Sequence, residues 1–194
     1  ALLEEARETL KDALDWRHDV IFTSGASESV EIVGKRARVA GRVHGATEHA
    51  IVPYAMGEGA EVLPVDRDGL IDEAALEAVL ARGPALVAIQ QVNNETGVIQ
   101  PLDRIAATVR AAGSRLLADR PQAASKLPLP QADFIATPAH KLRSPPAVGP
   151  LLHRDPRTLP PSPGGRAQRL PCRPQLRPVT AALPPPPPPP PPPH

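Results

Sequence analysis

Leu2, Leu3, Ala6, Leu10 and Ala13 recur at helical spacing, so residues 1–15 are expected to form an amphipathic helix. "DVIFTSG" (19–25) is a β-branched and aromatic run closed by Ser-Gly, a strand entering a turn. "ASESVEIVGKRARVAG" (26–41) reads as a helix with Ser and Glu in its first turn. "EVLPV" (61–65) is a short strand, placed by Pro64 near an edge or an end. "LIDEAALEAVLAR" carries Asp72 at an N-cap and apolar residues at 76, 79 and 80, a second helical stripe. "ALVAIQQV" (85–92) is continuously apolar at its start, as in a strand buried on both faces. "PLDRIAATVRAAG" spaces Leu102, Ile105, Ala106 and Val109 as a helix, with Gly113 as its stop. "RLLAD" and "ADFIAT" are two further short strands. Strand and helix alternate over roughly 130 residues, which predicts an α/β fold with a mainly parallel sheet flanked by helices.

Composition divides the chain in two. Of its 28 prolines, 17 follow Asp155, and Pro184 to Pro193 form an unbroken run. No acidic residue follows Asp155, while five arginines do. Residues 1–155 hold 17 basic against 21 acidic side chains, a net of −4, so the overall +1 describes neither half. A folded body over 1–155 and a disordered proline/arginine-rich tail over 156–194 follow, the proline run as an exposed polyproline II rod. The body is mildly acidic and poor in aromatic residues, which argues against a nucleic-acid partner. No apolar run approaches the ~20 residues of a membrane helix, and no signal peptide is evident. The single Cys172 excludes an intramolecular disulfide and suits a reducing, cytoplasmic setting. A start at Ala1 instead of Met reads as a fragment or a processed end.

In parallel sheets, ligands sit beyond the carboxyl ends of the strands. Four polar clusters fall just there: Ser24–Ser29, Asn93–Thr96, Asp119, and His140-Lys141. "TSGASES" is either a turn with a helix cap or an anion cradle of helix N–H groups with the Ser27 hydroxyl. Asp119 could cap a helix, bind a metal or pair with a cation. His49 in "ATEHAIV" could be a core or capping histidine, or could stack on a ring and move protons. Asn94 and Gln122 are neutral amide donors. Lys141 is either a solvated surface residue or a desolvated amine able to form a Schiff base. No His/Cys/Asp metal spacing and no nucleophile elbow is present.

The stretches "FTSGASES", "ATEHAIV", "VNNETGVIQPL", "DRPQAASKLPL" and "ADFIATPAHKL" stand in the order and wording of the cysteine desulfurases. The chain resembles these class V aminotransferase relatives, with the type I pyridoxal phosphate fold, over about residues 1–155. The resemblance implies pyridoxal 5'-phosphate as cofactor and Lys141 as the lysine that bonds it. It places Asp119 on the pyridine nitrogen, and Gln122 with Asn94 on the phenolic oxygen. His49 stacks on the ring and takes part in acid–base steps, and Ala26, Ser27 and His140 lie where the family binds phosphate. L-cysteine would be the substrate and alanine the product. A protein thiol would take the sulfur for a sulfur-acceptor protein or for iron–sulfur cluster assembly, in a protein that is a homodimer when intact. Another class V reaction (an aminotransferase or a selenocysteine lyase) and an inactive fragment with an interaction tail are the competing readings.

Several positions depart from the family. Pro138 replaces a phosphate-binding serine, Arg120 and Pro121 follow Asp119 in place of small residues, and Arg143, Ser144, Pro145 and Pro146 replace a glycine-rich turn. Val30 and Glu31 replace amides in the first helix. The family's cysteine loop lies far beyond the lysine, whereas Cys172 stands only 31 residues past Lys141, in the tail. Cys172 is therefore read as incidental, and weakened cofactor binding is expected, with Pro138 lacking a hydroxyl and Arg120 bringing bulk and charge to the ring.

Overall fold

The structure is a computed structural model and describes residues 2–123, 127–137 and 149–160. Helix α1 (Leu2–Ala13) buries Ala6 and Leu10, and its Arg7 reaches the Val20 carbonyl at 3.0 Å. Strand β1 (Asp19–Thr23) leads into α2 (Ala26–Arg36), then β2 (Gly41–Gly45), α3 (Ile51–Met56), β3 (Glu61–Leu63) and α4 (Glu73–Leu80). Strand β4 (Ala85–Gln90), α5 (Leu102–Ala111), β5 (Arg115–Asp119), β6 (Phe134–Ala136) and β7 (Gly149–His153) follow, then a 3-10 turn over Pro156–Thr158. Asp72 caps α4 by accepting the Ala75 N–H at 3.0 Å, and Gly113, free of a Cβ, ends α5 with φ of 67°.

One seven-stranded sheet runs in the order β1-β7-β6-β5-β4-β2-β3. Strands β3, β2, β4, β5 and β6 are mutually parallel, and β7 is antiparallel to both β6 and β1. Reversing twice leaves β1 parallel to the rest, so Thr23 ends at the same edge of the sheet as Gln90 and Asp119. Every residue of β4 is buried, which requires cover on both faces. Helix pairs α2–α3 and α4–α5 pack against one another, and α2 also contacts β5, β6, β7 and β1. The core holds Phe22, Leu86, Ile89, Leu116, Leu117, Phe134 and Ile135 with essentially no exposure.

Three elements escape the sequence pattern, each for a local reason. Strand β2 has one apolar residue, Val43, between two glycines, so periodicity gives it no signal. Helix α3 is a six-residue piece containing Pro53. Strand β7 carries Pro150 between two strands, where a missing N–H argues against strand assignment. The sheet accepts it because Pro150 is the second residue of its strand and its carbonyl still receives the Thr137 N–H. Strand 85–92 ends at Gln90 and helix 26–41 ends at Arg36, both shorter than the pattern suggests. Residues 156–160 pack on the body: Leu159 is buried in the core, and Arg38 and Arg36 donate to the Thr158 and Pro160 carbonyls. The tail beyond Pro160 lies outside the described residues.

Gly34 decides how closely α2 approaches α3. A Cβ there would stand 2.7 Å from the Ala55 carbonyl oxygen, a contact that neither helix backbone can relieve by rotating a side chain. Helix propensity alone would favour alanine by about 1 kcal/mol. The clash is the larger effect, because overpacking costs about 1–3 kcal/mol. Gly34→Ala is therefore expected to lower unfolding stability in urea; a variant as stable as the parent would contradict this packing.

Candidate functional site at the carboxyl ends of the strands

The chain leaves β2 through α3 toward β3 on one side, and leaves β4 through α5 toward β5 on the other. Such a divergence opens a crevice beyond the strand ends. A cavity of about 560 Å³ occupies it, and Ala26, Ser27, His49, Asn94, Asp119 and Gln122 all line it. These six come from four separate segments of the chain. His140 and Lys141, the other two predicted site residues, lie outside the described residues, as do Pro138, the segment 143–146 and Cys172.

The "TSG" turn is built by its threonine. The Thr23 hydroxyl donates to the Gly149 carbonyl at 2.7 Å and lies 2.9 Å from the Ser29 hydroxyl. Gly149 is required opposite it, since a Cβ would sit 2.7 Å from the Gly25 backbone. Glu28 turns back to accept the Ser24 N–H. Among the described residues no side chain caps the first turn of α2, which faces the cavity with Ala26 and Ser27.

Of the paired asparagines, one is structural and one is presented. Asn93 is buried, accepts the Glu95 and Thr96 N–H groups at 2.9 and 2.8 Å, and donates to the Thr47 carbonyl. Gly97 completes that turn at φ of 74°. Asn94 projects into the cavity. His49 accepts the Ile51 N–H through Nδ1 at 3.3 Å, which leaves Nε2 to carry the proton of the neutral ring.

Asp119 ends β5, in register with Gln90 on one side and Ala136 on the other. Its side chain is 3% exposed, and Oδ1 has no hydrogen-bond partner among the described residues. Burial pushes the carboxyl up to about 7. Such a group is an incomplete pair: a protonated partner entering the crevice would satisfy both its hydrogen bonding and its charge. The pyridine nitrogen of pyridoxal phosphate fits that need, and no metal-ligating cluster competes among the described residues.

Arg120 requires a correction. The expectation that it crowds the ring fails, because its guanidinium turns away from the cavity. It donates to Gln91 Oε1 at 2.9 Å and to the Ala123 and Leu127 carbonyls at 3.0 and 2.7 Å. The side chain is buried, and burial lowers it to about 10, so it stays cationic at neutral pH. Its role is to fold the segment that carries Gln122.

Sequence reasoning assigned no role to Glu48 or Gln90. Glu48 has a buried carboxyl held well above the usual carboxylate range, chiefly by burial, opposed by the Gln90 N–H and reinforced by Asp119. Nothing in "ATEHAIV" marks that glutamate as buried. Gln90 gave a faint signal, a polar residue closing an apolar strand.

The chain matches the model of the aminotransferase class-V family over residues 1–172. It is 37% identical over 156 residues to cysteine desulfurase IscS of Anaeromyxobacter sp. (strain Fw109-5), covering 72% of this chain and 39% of that protein. It is 35% identical over 176 residues to the cysteine desulfurase of Rattus norvegicus, covering 81% of this chain and 39% of that one. The chain thus spans about two fifths of the length of these curated relatives. Its fold superposes on a NifS-like protein from Rickettsia africae with a TM-score of 0.82 at 22% identity, covering 93% of this chain and 55% of the other.

Because Asp119 is raised from its ordinary value, the folded state holds its proton where the unfolded chain has released it. Its contribution to stability is full below about pH 4 and is lost as pH rises through about 7. Asp119→Asn is therefore expected to be the more stable form at pH 8, by about 2–4 kcal/mol, and to gain little at pH 4. Urea unfolding at both pH values measures this; equal gains at pH 4 and pH 8 would refute a buried carboxyl held above its ordinary value.

Proposed function

The chain belongs to the aminotransferase class-V family, and from that premise we propose that it is the cofactor-binding part of a pyridoxal phosphate-dependent cysteine desulfurase. Members of this family depend on pyridoxal phosphate. The observation that carries the reading is the Asp119 carboxyl, buried at the cavity floor with Oδ1 unmatched among the described residues. When bound, the cofactor supplies an electron-withdrawing ring that weakens bonds at the substrate's Cα and Cβ.

The residues have separate tasks. Asp119 holds a proton against the ring nitrogen and so keeps the ring electron-withdrawing. The first-turn N–H groups of α2 and the Ser27 hydroxyl receive the phosphate. Asn94 and Gln122 offer amide hydrogens to the phenolic oxygen. His49 packs on the ring and, through Nε2, holds or passes a proton beside the substrate. Lys141 would supply the amine that bonds the cofactor, and His140 would help hold its phosphate. L-cysteine is the proposed substrate, which the names of the curated relatives support. Sulfur delivery to an acceptor protein for iron–sulfur cluster assembly, a homodimer and a cytoplasmic setting complete the reading. Cys172 has no assigned role in it.

Titrating the full chain with pyridoxal phosphate tests the reading. A visible absorption band is expected, absent in Lys141→Ala. Removing the Asp119 carboxylate in Asp119→Ala should weaken binding about tenfold or more, the worth of one charge-assisted hydrogen bond. No band at millimolar cofactor, or one that persists in Lys141→Ala, would overturn it. With an added small-molecule thiol to take the sulfur as its persulfide, alanine release from L-cysteine that is unaffected by Cys172→Ser is expected to accompany binding.

A further inference from the structure

We propose that Glu48 is a positioning residue that holds the His49 loop at the edge of the crevice from the gap where β2 and β4 part. The ladder between these strands runs from Gly41↔Ala85 to His44↔Ala88. Beyond it the chain turns away, and the Ala46 N–H goes to the Leu63 carbonyl of β3. The Gln90 N–H is thereby left without a strand partner on that side. Glu48 Oε1 takes it at 3.0 Å, so a side chain replaces the missing backbone acceptor.

Gly45 makes room for this substitution. A Cβ at that position would stand 2.7 Å from Glu48 Oε1 and 3.0 Å from Ile71 Cδ1. Gln90 returns the tie by donating from its own amide to the Thr47 carbonyl. The two residues before His49 are therefore both anchored to the end of β4, and His49 itself is fixed through Nδ1 on the α3 backbone.

The arrangement is costly in one respect. Glu48 Oε2 is buried and has no hydrogen-bond partner among the described residues. An apolar side chain of similar size would fill the gap at no such cost, but it could not accept the Gln90 N–H. Methionine removes the orphan Oε2 but orphans the Gln90 N–H instead, so stability does not decide between them, and geometry favours an acceptor. Burial pushes the carboxyl up, against the Gln90 N–H and with Asp119, so the neutral form is favoured, and glutamine keeps its shape and its acceptor oxygen. The inference deepens the cofactor-site reading and rests on it only for what His49 faces.

The test uses the full chain without cofactor, labelled for NMR, as the parent, Glu48→Gln and Glu48→Met. Two readouts are taken: hydrogen exchange at the Gln90 amide and the ¹⁵N shifts of the His49 ring. Glu48→Gln should retain the parent's exchange rate and its fixed ring tautomer, with Nδ1 as acceptor. Glu48→Met should unfold at a similar urea concentration at pH 8, the lost Gln90 hydrogen bond offsetting the removed Oε2. It should nevertheless exchange at Gln90 about tenfold faster, with His49 shifts moving to those of a free imidazole. Parent-like exchange and ring shifts in Glu48→Met would overturn the proposal, as would their loss in Glu48→Gln. Failure to bind pyridoxal phosphate would leave both readouts intact, so the two readings fail separately.

Discussion

A carboxyl group at the end of β5 is buried beneath the crevice with no partner for Oδ1 among the described residues. Asp119 sits where the most apolar strands of the sheet end, with Leu116 and Leu117 before it and Gln90 and Ala136 beside it. Water cannot solvate it fully and no side chain of the described residues answers Oδ1. Everything distinctive about the site follows from keeping that unfavourable group in place. A sheet buried on both faces supplies the low polarity, and rigid strands prevent Asp119 from turning out to solvent.

The surrounding devices keep the crevice open without leaving backbone groups unsatisfied. Thr23 closes the turn before α2 onto Gly149, Asn93 folds the turn that presents Asn94, and Arg120 draws the Gln122 segment down by three hydrogen bonds. Glu48 fills the ladder position vacated by β2. In each case a buried polar side chain does what a strand or a cap would do elsewhere, and the neighbouring residue is released to face the cavity. The pairs Asn93–Asn94 and Glu48–His49 share this plan.

Strand–helix alternation made the fold class legible, because long amphipathic or continuously apolar runs carry their own period. The elements that escaped, β2, α3 and β7, are short and interrupted by Gly or Pro; tertiary packing, not local pattern, makes them regular. The polar clusters after strand ends were equally legible, since parallel strands bring their carboxyl ends to one side. The sequence singles out Asn94, but the structural part of Asn93 beside it could not be read, nor could the burial of the Glu48 carboxyl, because both depend on hydrogen bonds between distant segments. Arg120 misled for the same reason: its acceptors, Gln91 and two carbonyls of the following turn, come together only when the chain folds.

The central claim is that Asp119 waits as a buried, proton-sharing carboxyl for a cationic ring nitrogen. A carboxyl-carbon NMR titration of Asp119 in the full chain, without and with pyridoxal phosphate, tests it most directly. The free chain should titrate at about 7, and the cofactor should shift the midpoint well down, because a cation beside the carboxylate favours its charged form. A free-chain midpoint in the ordinary carboxylate range, or one that pyridoxal phosphate leaves unmoved, would contradict it.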